Sequence, residues 1–273
     1  MLPQPASTIR FRRLLLTGAD GNLGRELRPR LKAYCETLRL SHRSPMGEAG
    51  HGEEIVIADL SDADAMLGLL QGVDAVVHMG GVSTEQPWAP ILAGNIVGAY
   101  NLYESARKNG VKRIVFASSN HVTGFYRQDQ VVSPRDPVRP DGLYGLSKAF
   151  GENLAQLYWD RYRIETVSLR IGSSFAAPKD RRMLATWMSF DDTERLVVAA
   201  LTAPVVGHSI VYGMSDNTTT WWDNTSARHV GYRPRDSSDV FRAEVEARLP
   251  VLDASDPAVI YQGGAFVRTG PFE

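Results

Sequence analysis

The sequence has little cysteine and no long hydrophobic run. Its 273 residues include one cysteine, Cys35, which excludes an internal disulfide framework and a metal site made of several cysteines. The longest purely apolar run near the middle covers residues 196–201, whereas a membrane span needs roughly 20 apolar residues. Residues 1–11 are interpreted as a loose leader with too few apolar residues for a signal peptide. We therefore expect a cytoplasmic protein without a metal centre.

The sequence also lacks an excess of charge of either sign. Its 30 Lys and Arg residues nearly balance 31 Asp and Glu residues, and the formal net charge is −1. Nucleic acids and anionic membranes select strongly basic faces, so we expect neither as the main partner. A small-molecule substrate is expected instead. A homo-oligomer is compatible with the sequence, which does not determine the number of subunits.

Short apolar runs alternate with helical patterns in the first part of the chain, at residues 13–17, 37–40, 54–58, 75–78, 113–117 and 165–170. Strands separated by helices imply right-handed crossovers and a parallel sheet covered on both faces. This predicts a doubly wound α/β fold of the Rossmann type. We expect one domain over residues 1–273, with a dinucleotide-binding core over residues 12–170.

The pattern is weaker after Ile171, and residues 171–273 are expected to form a small extension that covers the substrate side. Within it we predict a helix over 191–201, a strand over 209–212 and a helix over 238–249. Ser237 or Ser238 is the expected N-cap of the last helix, because a hydroxyl can accept from the free N–H groups of the first turn.

A glycine-rich turn over residues 17–24 joins the first strand to a helix that is predicted to reach about Tyr34. Cys35 is expected on the face of this helix, as a small packed residue without chemistry. Glycine allows a tight turn and a close approach to a pyrophosphate, and a helix N-terminus offers free N–H groups to the phosphates. The spacing TGxxGxxG resembles that of the short-chain dehydrogenase/reductase superfamily. The predicted dinucleotide contacts are Gly18, Gly21, Asn22, Leu23 and Gly24. Asp59 and Leu60 resemble the adenine-contacting pair of that superfamily, although Asp59 is equally well interpreted as a cap at a strand end.

Tyr144 and Lys148 lie four residues apart in a predicted helix and therefore share one face. An ammonium about 4 Å from a phenol, at an effective dielectric near 20, favours the phenolate by roughly 4 kcal/mol, or about three pKa units. Such a shift would make Tyr144 a general base near neutral pH. Taken alone, the pair is equally compatible with an exposed face of a helix.

Three other polar residues lie in sequence between the glycine turn and Tyr144. Ser118 and Ser119 follow the fifth predicted strand, at the sheet edge where ligands bind, and a hydroxyl there can orient a reacting oxygen toward Tyr144. Asn95 is predicted to be buried and to need a partner, because three apolar residues share its helical face, namely Leu92, Ala99 and Leu102. In the superfamily an Asn at this point holds a water of the proton relay from the lysine.

Several longer segments resemble the uronate dehydrogenase family over nearly the whole chain. The most specific are Ser-Ser-Asn-His at 118–121, Trp-Trp-Asp-Asn at 221–224 and Tyr-Gln-Gly-Gly-Ala-Phe at 261–266. Enzymes of this family oxidise C1 of glucuronate or galacturonate to an aldarolactone and pass hydride to a nicotinamide. Trp221 and Trp222 are interpreted as core or rim residues, because a lone aromatic pair more often packs than binds sugar.

The resemblance implies roles for individual residues. It implies that Ser119, Tyr144 and Lys148 form the catalytic triad, assisted by Asn95. It adds cofactor contacts from Gly80, Gly81 and Ile171, besides Tyr144 and Lys148. The implied substrate contacts are Ser83, Ser119, Asn120, His121, Tyr144, Ser173 and Arg182.

Arg182 also has an independent physical argument. A hexuronate is an anion, and a guanidinium binds a carboxylate through two parallel hydrogen bonds. The alternative is a solvated charge within the charged run of residues 179–182.

The expected cofactor departs from the family default, which is NAD. About twenty residues after the glycine turn an NAD enzyme places an acidic side chain on the ribose 2′-hydroxyl. Here the segment is Ser41-His42-Arg43, with His42 in the acidic position. These side chains can donate to a 2′-phosphate, which favours NADP. The alternative is a solvated loop, with NAD held through the glycine turn.

Two other functions share this fold. A nucleotide-sugar epimerase or dehydratase has the same triad but a larger C-terminal region. A non-catalytic dinucleotide sensor typically lacks the Tyr/Lys pair, which is present here.

Overall fold

The computed structural model describes residues 11–248, 253–270 and 272. Residues 1–10 of the predicted leader therefore lie outside the described residues. Phe11, which was expected to end that leader, already belongs to the first strand and pairs with Cys35.

The central element is a seven-stranded parallel sheet with the order β3-β2-β1-β4-β5-β6-β9. Its order reverses between β1 and β4, which is the place where folds of this kind bind ligands. A small parallel pair, β7 with β8, lies apart. The strands are β1 Phe11–Thr17, β2 Cys35–His42, β3 Glu53–Ile57, β4 Ala75–His78, β5 Arg113–Ser119, β6 Glu165–Ile171, β7 Ser173–Ser174, β8 Trp187–Met188 and β9 His208–Gly213.

Helices cover both faces of the sheet. They are α1 Asn22–Leu31, α2 Ala63–Leu69, α3 Trp88–Ile91, α4 Gly98–Asn109, α5 Leu143–Tyr162, α6 Met183–Thr186, α7 Phe190–Thr202, α8 Arg242–Arg248 and α9 Pro257–Ile260. A π-helical segment, Leu92–Val97, joins α3 to α4. None of the described helices is both long enough and apolar enough to cross a bilayer.

The side chains of β1 show why its central residues, 14–16, form an unbroken apolar run. Leu14 and Leu16 pack on one face of the sheet with residues of α1 and α7. Leu15 points to the opposite face and packs with residues of α2, α4 and α5. Successive side chains of a strand alternate between faces, so a strand covered on both sides needs an unbroken apolar run. The predicted doubly wound sheet is confirmed, with each predicted strand boundary within two residues of the observed one.

Cys35 occupies a different element from the one expected. We expected it on the first helix, but α1 ends at Leu31 and a 3₁₀ turn over Lys32–Tyr34 leads into β2, which begins at Cys35. Its side chain is buried, as predicted.

The C-terminal region contains the predicted strand and helices, with one correction. β9 and α7 match the strand predicted over 209–212 and the helix predicted over 191–201. The helix predicted over 238–249 instead begins as a 3₁₀ turn over Ser238–Phe241, and α8 starts only at Arg242. The Ser237 hydroxyl accepts from Asp239 N, so the expected cap belongs to the 3₁₀ turn. Residues 249–252 lie outside the described residues.

A smaller cluster beside the substrate side contains the two tryptophans. Trp221 and Trp222 are buried with Val132, Ala185 and Tyr212, which confirms their interpretation as packing residues. Trp222 stacks on the Tyr212 ring with centroids 4.9 Å apart.

Candidate active site

A cavity of about 950 Å³ opens at the carboxyl ends of the central strands. Every predicted site residue except Asn95 lines it. The cavity extends from the glycine turn after β1, past the ends of β2, β4 and β5, to the segment that follows β6. Parallel strands bring their carboxyl ends to one edge, so residues far apart in sequence meet there.

The glycine turn has the geometry that a pyrophosphate needs. Gly18 has φ of 65°, and a Cβ there would lie 2.7 Å from the backbone of Met79 and Gly80. A Cβ on Gly24 would overlap the carbonyl oxygen of Gly18. Gly21 caps α1 without a side-chain hydrogen bond, so the N–H groups of the first turn remain available to an anion. The residues present therefore fit a dinucleotide.

The far end of the cavity carries the side chains that face the adenosine part of such a cofactor. Ser41 is buried, His42 is half-buried and Arg43 is exposed. Asp59 accepts from the backbone N–H (2.8 Å) and the hydroxyl (2.7 Å) of Ser61. These bonds, and more weakly the Arg43 guanidinium, lower the pKa of Asp59. Asp59 is therefore a cap at a strand end that also lines the cavity.

Ser119, Tyr144 and Lys148 converge in the middle of the cavity. Ser119 ends β5, and Tyr144 and Lys148 lie in the first two turns of α5. The Glu85 carboxylate accepts from the backbone N–H groups of Leu143 and Tyr144, both at 2.8 Å, and so caps α5 from a distant loop. This cap was not predicted, because Glu85 lies far from α5 in sequence.

The predicted lowering of the Tyr144 pKa is wrong for this structure. Burial raises the pKa of Tyr144 to about 12, and the hydrogen bond with Ser119 offsets only part of that effect. Lys148 Nζ lies 5.7 Å from the centre of the Tyr144 ring and donates to Ala117 O at 2.8 Å. Burial also lowers the pKa of Lys148 to about 8. Loss of solvation around both groups therefore outweighs their mutual attraction.

The structure separates the two predicted serines. Ser118 donates to Glu152 Oε1 at 2.6 Å, and this carboxylate is paired with the buried Arg170 at 2.8 Å. Ser119 Oγ accepts from His121 N at 3.2 Å, and both serines belong to the cavity wall. Ser119 is therefore the hydroxyl placed beside Tyr144, and Ser118 supports the strand end below it.

Asn95 is buried as predicted, but its amide lies outside the cavity lining. It accepts from Val82 N at 2.8 Å and donates to Val82 O and to Ser147 Oγ. The amide thus holds the loop after β4 against α5, which leaves it no free donor for a relay water. Leu92, expected on its buried face, is 37% exposed because the π-helical turn shifts the register by one residue.

The substrate side of the cavity contains an arginine without a carboxylate partner among the described residues. Arg182 is half-buried, and its Nε donates to Gln262 O. With the Asn120 amide turned to satisfy both neighbours, its oxygen accepts from Arg182 Nη2 at 2.7 Å and its nitrogen donates to Ile171 O at 3.1 Å. Desolvation lowers the pKa of Arg182, which is the signature of a charge without full compensation.

The other predicted substrate contacts line the same cavity. His121 Nδ1 lies 2.6 Å from Asp141 Oδ2, and its ring stacks on Phe266 with centroids 3.8 Å apart. Ser173 Oγ is 2.9 Å from Thr186 Oγ1, and Ser83 is exposed at the rim. Phe266 stood within a segment that carried the family resemblance, but nothing local in the sequence indicated that it and Asp141 hold His121.

Comparisons with known proteins agree with this geometry. The family model of the NAD dependent epimerase/dehydratase family matches residues 14–206. A uronate dehydrogenase of Pseudomonas putida is 58% identical over 97% of this chain and 99% of that protein. The crystal structure of a glucuronic acid dehydrogenase from Chromohalobacter salexigens is 51% identical, with a TM-score of 0.93 over 95% of this chain and 97% of that chain. A uronate dehydrogenase variant from Agrobacterium tumefaciens, complexed with NAD, is 48% identical, with a TM-score of 0.94 over 96% and 99% of the two chains.

The chain belongs to the uronate dehydrogenase family. The resemblance inferred from its sequence motifs is therefore confirmed. The individual roles of its site residues stay predictions. The burial of Lys148 can be tested directly, through the pH dependence of stability.

Replacement of Lys148 by Met should change how stability depends on pH. The ordinary lysine pKa is 10.5, and burial lowers that of Lys148 to about 8. Between these values the unfolded chain binds more protons, so the free energy of unfolding rises with pH. From pH 7 to pH 10 the free energy of unfolding of the wild type should rise by about 2 kcal/mol more than that of Lys148→Met. Urea denaturation at each pH measures both. Lys108→Met, at an exposed lysine, is the control and should keep the wild-type slope. If the free energy of unfolding of wild type and of Lys148→Met depended on pH in the same way, the lowered pKa of Lys148 would be contradicted.

Proposed function

We propose that this enzyme oxidises C1 of a cyclic hexuronic acid, glucuronate or galacturonate, to an aldarolactone with a nicotinamide cofactor. One observation carries the proposal: a single cavity joins a dinucleotide cradle, the Ser119–Tyr144–Lys148 group and Arg182, which has no carboxylate partner among the described residues. An epimerase or dehydratase needs room and contacts for a nucleotide diphosphate on the sugar. The side chain at the end of this cavity is suited to a single carboxylate.

The reaction removes two hydrogens from the sugar. C1 loses its hydrogen as hydride and its hydroxyl loses a proton, so a carbonyl forms next to the ring oxygen and the product is a lactone. A bound oxidised nicotinamide would supply the hydride acceptor and a positive charge that favours the phenolate form of Tyr144. The cradle of Gly18, Gly21 and Gly24 would hold the pyrophosphate of that cofactor.

The side chains of this protein handle the proton and the orientation of the sugar. Tyr144 receives the proton of the C1 hydroxyl, and Ser119, hydrogen-bonded to Tyr144, orients that hydroxyl. Lys148 donates to Ala117 O and keeps its ammonium on the cofactor side of Tyr144. Asn95 is a positioning residue, because its amide binds the backbone of Val82 and so fixes the loop that carries Ser83.

Arg182 provides the anion-binding group of the site. Its Nε and one Nη are held by Gln262 O and Asn120, and the other donors have no partner among the described residues. A carboxylate on C6 of the sugar would supply the missing negative charge through charge-assisted hydrogen bonds. His121, held by Asp141 and Phe266, and Ser173 complete the wall around the sugar.

The function is tested by the absorbance of reduced nicotinamide after enzyme, cofactor and galacturonate are mixed. Net growth of the signal is expected, whereas an epimerase recycles its cofactor and a sensor produces no change. Tyr144→Phe removes the proton acceptor and should lower turnover by about two to four orders of magnitude with cofactor affinity retained. The matched control is Tyr158→Phe on the same helix, whose hydroxyl binds Glu104 at 3.1 Å and which should stay active. Wild-type turnover in the Tyr144→Phe variant would refute the assignment.

Arg182→Ala should raise KM for galacturonate by at least roughly thirtyfold, because loss of one side of a buried charge pair costs about 2–5 kcal/mol. The neighbouring Arg181→Ala serves as control, since the Arg181 guanidinium donates to Glu246 O and does not line the cavity. Steady-state kinetics with saturating cofactor measures both variants. An unchanged kcat/KM for Arg182→Ala would show that this arginine does not bind the substrate.

The preferred cofactor of the proposed enzyme is NADP, with NAD as the weaker alternative. Ser41, His42 and Arg43 line the adenosine end of the cavity, where they can donate to a 2′-phosphate. The acidic side chain near them, Asp59, already accepts two hydrogen bonds from Ser61 and lies close enough to Arg43 for its pKa to be lowered by that charge. No carboxylate stands at position 42 to select the free hydroxyl of NAD.

The cofactor preference is measured as kcat/KM for NADP and NAD at saturating galacturonate. Wild type should favour NADP by roughly tenfold, the value of one charge-assisted contact. His42→Asp/Arg43→Ile should reverse the preference, because it restores the acidic group and removes the cation. His51→Asp, on the exposed turn before β3, is the control and should leave the ratio unchanged. A wild-type preference for NAD of tenfold or more would refute this part of the proposal.

A further inference from the structure

The segment Tyr261–Phe266, called the C-terminal strap below, crosses the substrate side of the cavity. Gln262 is its most buried side chain, with 1% of its surface exposed. On the inner side of the strap, Gly263, Ala265 and Phe266 line the cavity, while Gln262 itself points away from it.

The amide of Gln262 is fully hydrogen-bonded. Its Nε2 donates to Arg127 O at 3.0 Å and to Gln130 O at 2.9 Å. Its Oε1 accepts from Trp222 Nε1 at 3.0 Å, and Trp222 is itself fixed by its stack on Tyr212. The three bonds use both donors of the amide and anchor it to two separate segments, so Gln262 cannot rotate without leaving buried polar groups unpaired.

The backbone of the strap is held at the same place. Gln262 N donates to Tyr126 O and Gly263 N donates to Gly124 O, both at 2.8 Å. These bonds and the buried amide fix the position of the Gln262 carbonyl, which is the group that accepts from Arg182 Nε.

The strap also shapes the aliphatic part of Arg182. Gly264 has φ of 63°, and a Cβ there would lie 2.5 Å from Arg182 Cδ. Two residues later, Phe266 stacks on His121. The guanidinium is therefore held at one edge by the strap and at the other by Asn120, with its remaining donors free to meet a ligand.

We propose that Gln262 is a positioning residue for recognition of the substrate carboxylate: through the strap it orients the Arg182 guanidinium. This inference rests on the proposed function, since it assigns the residue that makes the anion site selective. A guanidinium binds a carboxylate through two parallel bonds only if its plane is fixed, and a displacement of about 1 Å is enough to cost a large part of the affinity.

Gln262→Met keeps the length of the side chain and removes its three hydrogen bonds. KM for galacturonate should rise roughly tenfold, while kcat and the KM of the cofactor stay within about twofold. Gln156→Met is the matched control, because the exposed Gln156 amide bonds to the side chains of Asp160 and His208, away from the strap and the cavity. It should change KM by less than about twofold.

A double-mutant cycle separates positioning from a general structural role. In the Arg182→Ala background, Gln262→Met should change kcat/KM by no more than about twofold, because its effect passes through the missing guanidinium. An undiminished effect in that background would overturn the proposal.

Trp222→Phe covers the case in which Gln262→Met fails to fold. It removes one of the three bonds and should raise KM for galacturonate in the same direction by a smaller factor. Unchanged KM in both Gln262→Met and Trp222→Phe, with an active wild type, would refute the positioning role alone. A wild type that does not oxidise galacturonate would refute the proposed function and the inference with it.

Discussion

The buried ion pair between Glu152 and Arg170 is the constraint on which the active site depends. Their side chains are 3% and 1% exposed, and two bonds at 2.8 and 2.9 Å join them. Removing two charges from water costs several kcal/mol each, so a pair of this kind is weak evidence of net stabilisation. The pair instead fixes the position of one structural element relative to another. Glu152 stands one helical turn beyond Lys148 and also accepts from Ser118, so the pair joins helix α5 to the strand end that carries Ser119.

The rest of the site follows from the order of strands around this link. The reversal between β1 and β4 opens the crevice that receives the dinucleotide, and β5 and β6 place the reacting groups beside it. Distant polar residues then fix the loops: Asn95 binds the backbone of Val82, and Glu85 caps α5 at Tyr144. Each of these contacts joins elements that the sheet has already brought together, so the sheet determines the site and the side chains refine it.

The sequence predicted the features that local patterns encode and missed those that depend on distant contacts. Apolar runs alternating with helical patterns were sufficient for the doubly wound sheet, and the glycine turn together with the family resemblance supplied the predicted residues that line the cavity. The exposure of Leu92 was not predictable, because the π-helical turn adds one residue to the spacing of the α-helix that the pattern assumed. Glu85 and Gln262 were missed because these partners lie 40 or more residues away in sequence. The Tyr144 pKa was predicted in the wrong direction because a pattern shows a nearby cation but not the loss of solvent.

The charges in the cavity share one property, which is that burial disfavours each of them. Desolvation lowers the pKa values of Lys148 and Arg182 and raises that of Tyr144, so burial disfavours the two cations and the phenolate alike. Fixed donors in a poorly solvated site interact strongly with a charge that enters it, because little reorganisation is then required. In the proposed function, an anionic sugar would supply such a charge at Arg182. The same burial that destabilises these groups would then favour a substrate with a carboxylate.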